Sequence, residues 1–208
     1  MTSSLDLSHL RTFEEMEEYD KEVILSGKNG TWGFLPPTDE VFEIFQYIQD
    51  TYKPTKVLEI GFNAGHSTTY QLETFPQALI HTIGPSPRLG MHRVLKRKYG
   101  KDRFKWFKGR TQDVRKEIDQ KGYDFAFVDG SHLTEAVNID LHVVCNQLKV
   151  PLILVDNTDG KAVREVVYNK YVKRTGQLKE VKQWNYDMTW HEIFKSNEIT
   201  LFTLNTKD

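Results

Sequence analysis

The order of apolar and polar positions divides the chain into alternating helices and strands. Residues 12–25 read as a helix: Phe13, Met16, Val23 and Ile24 form an apolar stripe, and Thr12 with Glu15 fits a capping box. The turn-rich stretch 26–37, SGKNGTWGFLPP, follows. Thr38 then caps a second helix in which Val41, Ile44, Phe45, Ile48 and Tyr52 share one face and Asp39 and Glu40 favour the first turn. Pro54 ends it. From Lys56 onward strands and helices alternate. The pattern predicts strands over 57–60, 78–83, 103–107, 124–128 and 151–155. Helices are expected from Ser67, over 89–99, 113–120, 134–148 and 161–174. Two further strands, 179–186 and 198–204, read as an antiparallel pair on the sheet edge. Strands that alternate with helices imply βαβ units. The expected fold is therefore α/β: a Rossmann-like, doubly wound sheet of about seven strands, mostly parallel with an antiparallel C-terminal strand and helices on both faces. We expect one domain over 1–208, with 1–37 as an N-terminal extension packed on or capping it.

Composition narrows the class. The 208 residues are 38% hydrophobic and 27% charged, enough apolar content for a core. The longest apolar runs, such as Leu152 to Val155, are too short to span a bilayer, so no membrane partner is expected. No basic-then-apolar leader opens the chain. Cys145 is the single cysteine, which excludes an intrachain disulfide and a cysteine zinc cluster and fits a reducing, cytoplasmic setting. The net charge of -1 hides an asymmetry: residues 1–50 hold eleven acids against three bases, whereas residues 88–116 hold twelve Lys and Arg against Asp102 and Asp113. A basic stripe attracts phosphate, and it is also what a solvated face looks like.

Candidate chemistry lies where ligands bind in open α/β sheets, just past the carboxyl ends of the strands. The first strand runs into Glu59-Ile60-Gly61-Phe62-Asn63-Ala64-Gly65-His66-Ser67. Its glycines permit a tight turn and close backbone approach, the helix start offers free N–H groups to an anion, and Glu59 can accept from a ligand ammonium. The spacing is neither G-x-G-x-x-G nor a P-loop, and no acid follows the second strand. The fourth strand ends in Asp129-Gly130-Ser131-His132 and the fifth in Asp156-Asn157. Asp129, Asp156 and Asn157 bring three oxygen donors to one rim, a set suited to Mg²⁺ or another hard divalent cation. His132 can take a proton from a hydroxyl held there. The plainer reading is that these Asp and Asn residues form turns and helix caps.

VLEIGFNAGHST, YDFAFVDGSH and LILVDNTDG together resemble a class I S-adenosylmethionine-dependent methyltransferase, most of all the metal-dependent O-methyltransferases of catechol, caffeoyl-CoA and macrolide-sugar type. The resemblance runs from about Gly30 to the end. It implies S-adenosylmethionine (SAM) as cofactor, with Glu59, Gly61, Asn63, Gly65 and Ser67 at its amino-acid end. Gly84 and Ser86 then lie near the ribose, Arg110, Thr111 and Gln112 near the adenine, and Asp129 beside both cofactor and metal. It also implies Asp129, Asp156 and Asn157 as Mg²⁺ ligands and His132 as base in an SN2 transfer to a small-molecule hydroxyl. Gly84 departs from the family, which places an acid there for the ribose hydroxyls; Ser86 is the neutral substitute at hand. Trp32, Trp184, Tyr186 and Trp190 are candidates for a substrate wall or for packing, and His191 and Glu192 for polar contacts beside it.

Three alternatives follow from particular features. The basic stretch suggests a nucleic-acid (ribose 2′-hydroxyl) methyltransferase, although no Asp-Pro-Pro-Tyr motif is present. Gly84 suggests a catalytically inactive binding protein. The acidic rim also suits another metal-dependent enzyme, such as a hydrolase. The acidic helix 12–25 fits a cap on the active site, a homodimer contact or a cover for the sheet.

Overall fold

The computed structural model describes Leu35 and residues 39–85, 91–118, 122–187 and 196–205. The expected helix 12–25, Ser86, Trp32, Trp190, His191 and Glu192 lie outside the described residues. The elements run α1 (Asp39–Tyr52), β1 (Lys56–Ile60), α2 (His66–Thr74), β2 (Leu79–Gly84), α3 (Met91–Tyr99), β3 (Phe104–Lys108), α4 (Thr111–Val114), β4 (Phe125–Val128), α5 (Thr134–His142), β5 (Leu152–Asp156), α6 (Lys161–Arg164), β6 (Leu178–Asp187) and β7 (Ser196–Leu204). Helices α5 and α6 continue as wider, π-helical turns over Val143–Gln147 and Glu165–Arg174.

The seven strands form one sheet in the order β3-β2-β1-β4-β5-β7-β6. All pairings from β3 to β5 are parallel, and β7 pairs antiparallel with both β5 and β6. The expected fold is thus the observed one, including the antiparallel pair at the edge. The last strand inserts between β5 and β6. Burial explains this: Ile199, Thr200, Leu201 and Phe202 are all enclosed, so β7 has two covered faces, whereas Lys179, Glu180, Val181, Lys182 and Gln183 of β6 are exposed. Charged residues on that outer strand discourage pairing with another chain.

Each sheet face carries its own core. On one, Val57, Ile80, Phe104, Phe125, Phe127 and Leu154 meet α1, α2 and α3; Phe45 of α1 sits edge-on to Phe75 and Phe127. On the other, Leu58, Ile60, Phe107, Val128 and Ile153 meet α4, α5 and α6. Of the stripe read on α1, Val41, Ile44, Phe45 and Ile48 are buried, and Tyr52 at its end is exposed against Tyr47. Strand order reverses between β1 and β4, so their carboxyl ends open a crevice at the switch point.

Candidate active site

The loop after β1 is built around Glu59. Its side chain lies on the α2 side of the sheet, fully enclosed. Oε1 accepts from Ser67 Oγ at 2.5 Å and Gln71 Nε2 at 2.8 Å; Oε2 accepts from Thr82 Oγ1 at 2.6 Å and from Thr68 Oγ1. Burial raises its pKa, and the four donors oppose that rise. The carboxylate expected to meet a ligand ammonium is thus bonded in this structure to α2 and β2. The Ser67 hydroxyl likewise donates inward, to Glu59. These bonds tie Glu59 to the first two turns of α2.

The glycines are also filled from within the protein. A Cβ on Gly61, at φ 120°, would stand 1.8 Å from the Asp129 carbonyl oxygen. Gly61 therefore lets the β1 loop cross directly over the end of β4. Gly65, at φ 78°, lies against the Phe62 ring, and a Cβ on Gly84 would come within 2.9 Å of Phe62 Cβ. Phe62 is 1% exposed and packs against Phe104 and Trp106, with centroids 5.9 and 6.4 Å away. The missing acid after β2 thus has a steric cause, because the Phe62 backbone and Cβ occupy the room its Cβ would need. Trp106 Nε1 donates to the Gly84 carbonyl and closes this corner. Asn63 takes a left-handed conformation at φ 42°.

Past β3, Arg110 and Gln112 are exposed and Thr111 is buried. The Arg110 N–H donates to Asp113 Oδ2 at 3.2 Å, which starts α4. Thr111 is hydrogen-bonded to Asp140 of α5, whose carboxyl burial pushes up to about 6.

Asp129 and Asp156 meet as expected. They are 7% and 5% exposed, and one donor atom each from Asp129, His132 and Asp156 lies within 4.8 Å of the others. Burial raises both carboxyls well above the ordinary range. The Glu59 charge adds to the rise at Asp129, and the Asp129 charge adds to it at Asp156. His132 Nε2 stands 3.4 Å from Asp129 Oδ1 while 40% of its side chain remains exposed. The ring thus touches the carboxylates and solvent together. Asn157 follows directly, half-buried and left-handed at φ 54°. Two buried carboxyls beside an imidazole nitrogen are a donor set that suits a divalent cation.

Sequence reasoning missed Tyr186, read there only as wall or packing. Its hydroxyl donates to Asp156 Oδ1 at 2.8 Å. The signal was available in the strand alternation, which puts Tyr186 on the same side of β6 as Trp184. Trp184 itself packs on Tyr47 at 5.4 Å.

Residues 58–158 match the family model described as a methyltransferase domain. That stretch is similar to a methyltransferase domain. The chain's Rossmann-like fold is a methyltransferase fold. Similar structures include TomG from Streptomyces achromogenes, an O-methyltransferase involved in tomaymycin synthesis and solved with SAM (15% identity, 96% of this chain and 95% of that one, TM-score 0.66). The O-methyltransferase from Bacillus cereus, solved with SAH, matches at 15% identity over 94% and 96%, TM-score 0.64. The SAH-bound methyltransferase PaMTH1 from Podospora anserina matches at 15% over 99% of both chains, TM-score 0.65. No curated protein matches in sequence. At these identities the structural likeness is one of fold. Among the described residues, no helix is long and apolar enough to cross a membrane.

Proposed function

We propose that this chain is a SAM-dependent O-methyltransferase that acts, with a divalent cation, on the hydroxyl of a small molecule such as a sugar or phenol. The observation that carries this reading is the approach of Asp129, His132 and Asp156 within 4.8 Å beside the Gly61–Gly65 loop. Bound SAM supplies an electrophilic methyl group. A bound cation, Mg²⁺ or a similar ion, supplies positive charge that makes a hydroxyl more acidic. Asp129 and Asp156, with Asn157 next to them, would hold that ion. His132 would take the hydroxyl proton and pass it to solvent through its exposed edge. The start of α2, with the backbone N–H groups of its first turn, would receive the carboxylate of the amino-acid end, with Asn63 alongside. Arg110, Thr111 and Gln112 would flank the adenine. Glu59 and Phe62 would contribute by rigidity, since alignment of the reacting atoms supplies much of the rate.

The test is transfer of labelled methyl from SAM to a panel of sugars and phenols, with Mg²⁺ and with EDTA. Turnover that EDTA abolishes, that Asp129→Ala loses and that His132→Ala slows by about 10²–10⁴-fold supports the reading. Full turnover in EDTA or in Asp129→Ala would remove the metal. An unchanged rate in His132→Ala would return that residue to a turn.

The exposed Arg93, Lys96, Lys105 and Lys108 along α3 and β3 favour a second acceptor class, a ribose 2′-hydroxyl of nucleic acid. Retention on RNA that falls steeply with salt would support it.

A further inference from the structure

Tyr186 and Asp156 come from strands that are not neighbours, since β7 runs between β5 and β6. The Tyr186 hydroxyl nevertheless donates to Asp156 Oδ1 at 2.8 Å, and Asn197 Nδ2 donates to the same hydroxyl oxygen at 3.1 Å. Tyr186 and Asn197 face each other in the β6–β7 ladder. A phenol carries one proton. With an amide N–H already directed at its oxygen, that proton is committed to Asp156. Water does not compete, because Tyr186 is 2% exposed and Asn197 is 9% exposed. The bond restrains the Asp156 carboxylate against rotation. No other side chain of the outer two strands is hydrogen-bonded to the Asp129–His132–Asp156 cluster among the described residues.

We propose that Tyr186, itself aimed by Asn197, is a positioning residue that holds the Asp156 carboxylate ready for a divalent cation. This rests on the metal reading above. Partners that orient a metal-binding group from behind change metal affinity by about 10–100-fold when removed. Tyr186→Phe keeps the ring and its packing and deletes only the hydroxyl. Asn197→Ala keeps the hydroxyl and deletes what aims it.

The experiment uses the full chain. Mn²⁺ is titrated and its free fraction counted by electron paramagnetic resonance, with Asp156→Ala as the blank, and SAH affinity is measured calorimetrically on the same samples. Tyr186→Phe is expected to bind Mn²⁺ about tenfold more weakly with SAH affinity unchanged, and Asn197→Ala to show a smaller loss of the same kind. Wild-type Mn²⁺ affinity in Tyr186→Phe would overturn the proposal. So would a joint loss of Mn²⁺ and SAH binding, which marks a residue that only supports the fold. Should Tyr186→Phe not fold, undiminished Mn²⁺ affinity in Asn197→Ala overturns it. Wild-type protein that binds SAH but no Mn²⁺ defeats the metal reading itself and this proposal with it, whereas a Tyr186→Phe equal to a Mn²⁺-binding wild type defeats this proposal alone.

Discussion

Glu59 is a carboxylate placed inside the sheet with four donors aimed at it, and its removal leaves Ser67, Thr68, Gln71 and Thr82 facing a void. Glu59→Ala should destabilise the protein by about 2–4 kcal/mol, as expected when buried polar groups lose their partner. Urea unfolding checks this, and a loss below about 0.5 kcal/mol would show that the donors find other partners. Asp129 is the opposite case. Burial and then the Glu59 charge raise its pKa, and a hydrogen bond with Asp156 opposes that rise. In metal-free buffer at neutral pH, Asp129→Asn removes a buried ionisable group and should stabilise the fold by about 1 kcal/mol, and it should abolish any rise in Tm on adding Mg²⁺. A destabilised variant would mean that the pair already shares a proton that Asn cannot replace. The Asp129 and Asp156 meeting was legible because each ends an apolar strand run. The role of Glu59 was harder to read, since a strand-end acid followed by glycines looks the same whether it serves a ligand or the loop. The hint was Ser67-Thr68-Thr69 with Gln71: hydroxyls and an amide on a short helix whose buried face is polar, which hydrophobic periodicity does not register.

At the level of elements, strand β2 carries a buried histidine. His81 Nδ1 lies 2.7 Å from the Tyr123 hydroxyl, with its ring edge-on to Phe107. Burial, then the charges of Lys56 and Lys105, hold its pKa down to about 4 from an ordinary 6.5. Between those values the unfolded chain takes the proton and the folded one does not, so this group removes stability as pH falls from 6.5 towards 4. His81→Gln, which keeps a polar partner for Tyr123, should flatten the fall of Tm over that window relative to wild type; parallel curves would show that His81 protonates freely when folded. At the end of the same strand, Gly84→Ala should cost about 1–3 kcal/mol by crowding Phe62, read by the urea midpoint, and no shift would show that the β1 loop gives way. Element order and type followed from periodicity over most of the chain. The interior place of β7 did not, because sequential strands suggest a simple edge hairpin. The change to π-helical turns after His142 and Arg164 leaves the apolar period nearly intact and so gives no warning.

Across the whole molecule, two cores clamp one sheet and leave its carboxyl rim for chemistry. Charge is distributed about that plan. Of the basic residues in 88–116, Arg103 is turned inward to donate to the carbonyls of Leu72, Phe75 and Ala78, and Lys98 pairs with Glu73. Lys105 and Lys108 sit on the β3 edge strand, where they also discourage strand pairing. Part of the basic stripe is therefore structural, which the count of charges alone did not separate. The central claim is that the rim binds a SAM-type cofactor although Gly84 replaces the usual acid. A calorimetric titration of SAH into the full chain, with Mg²⁺ and then with EDTA, tests it most directly. The account predicts micromolar binding. No heat of binding in either condition would contradict it and leave the loop from Gly61 to Gly65 as a feature of the fold alone.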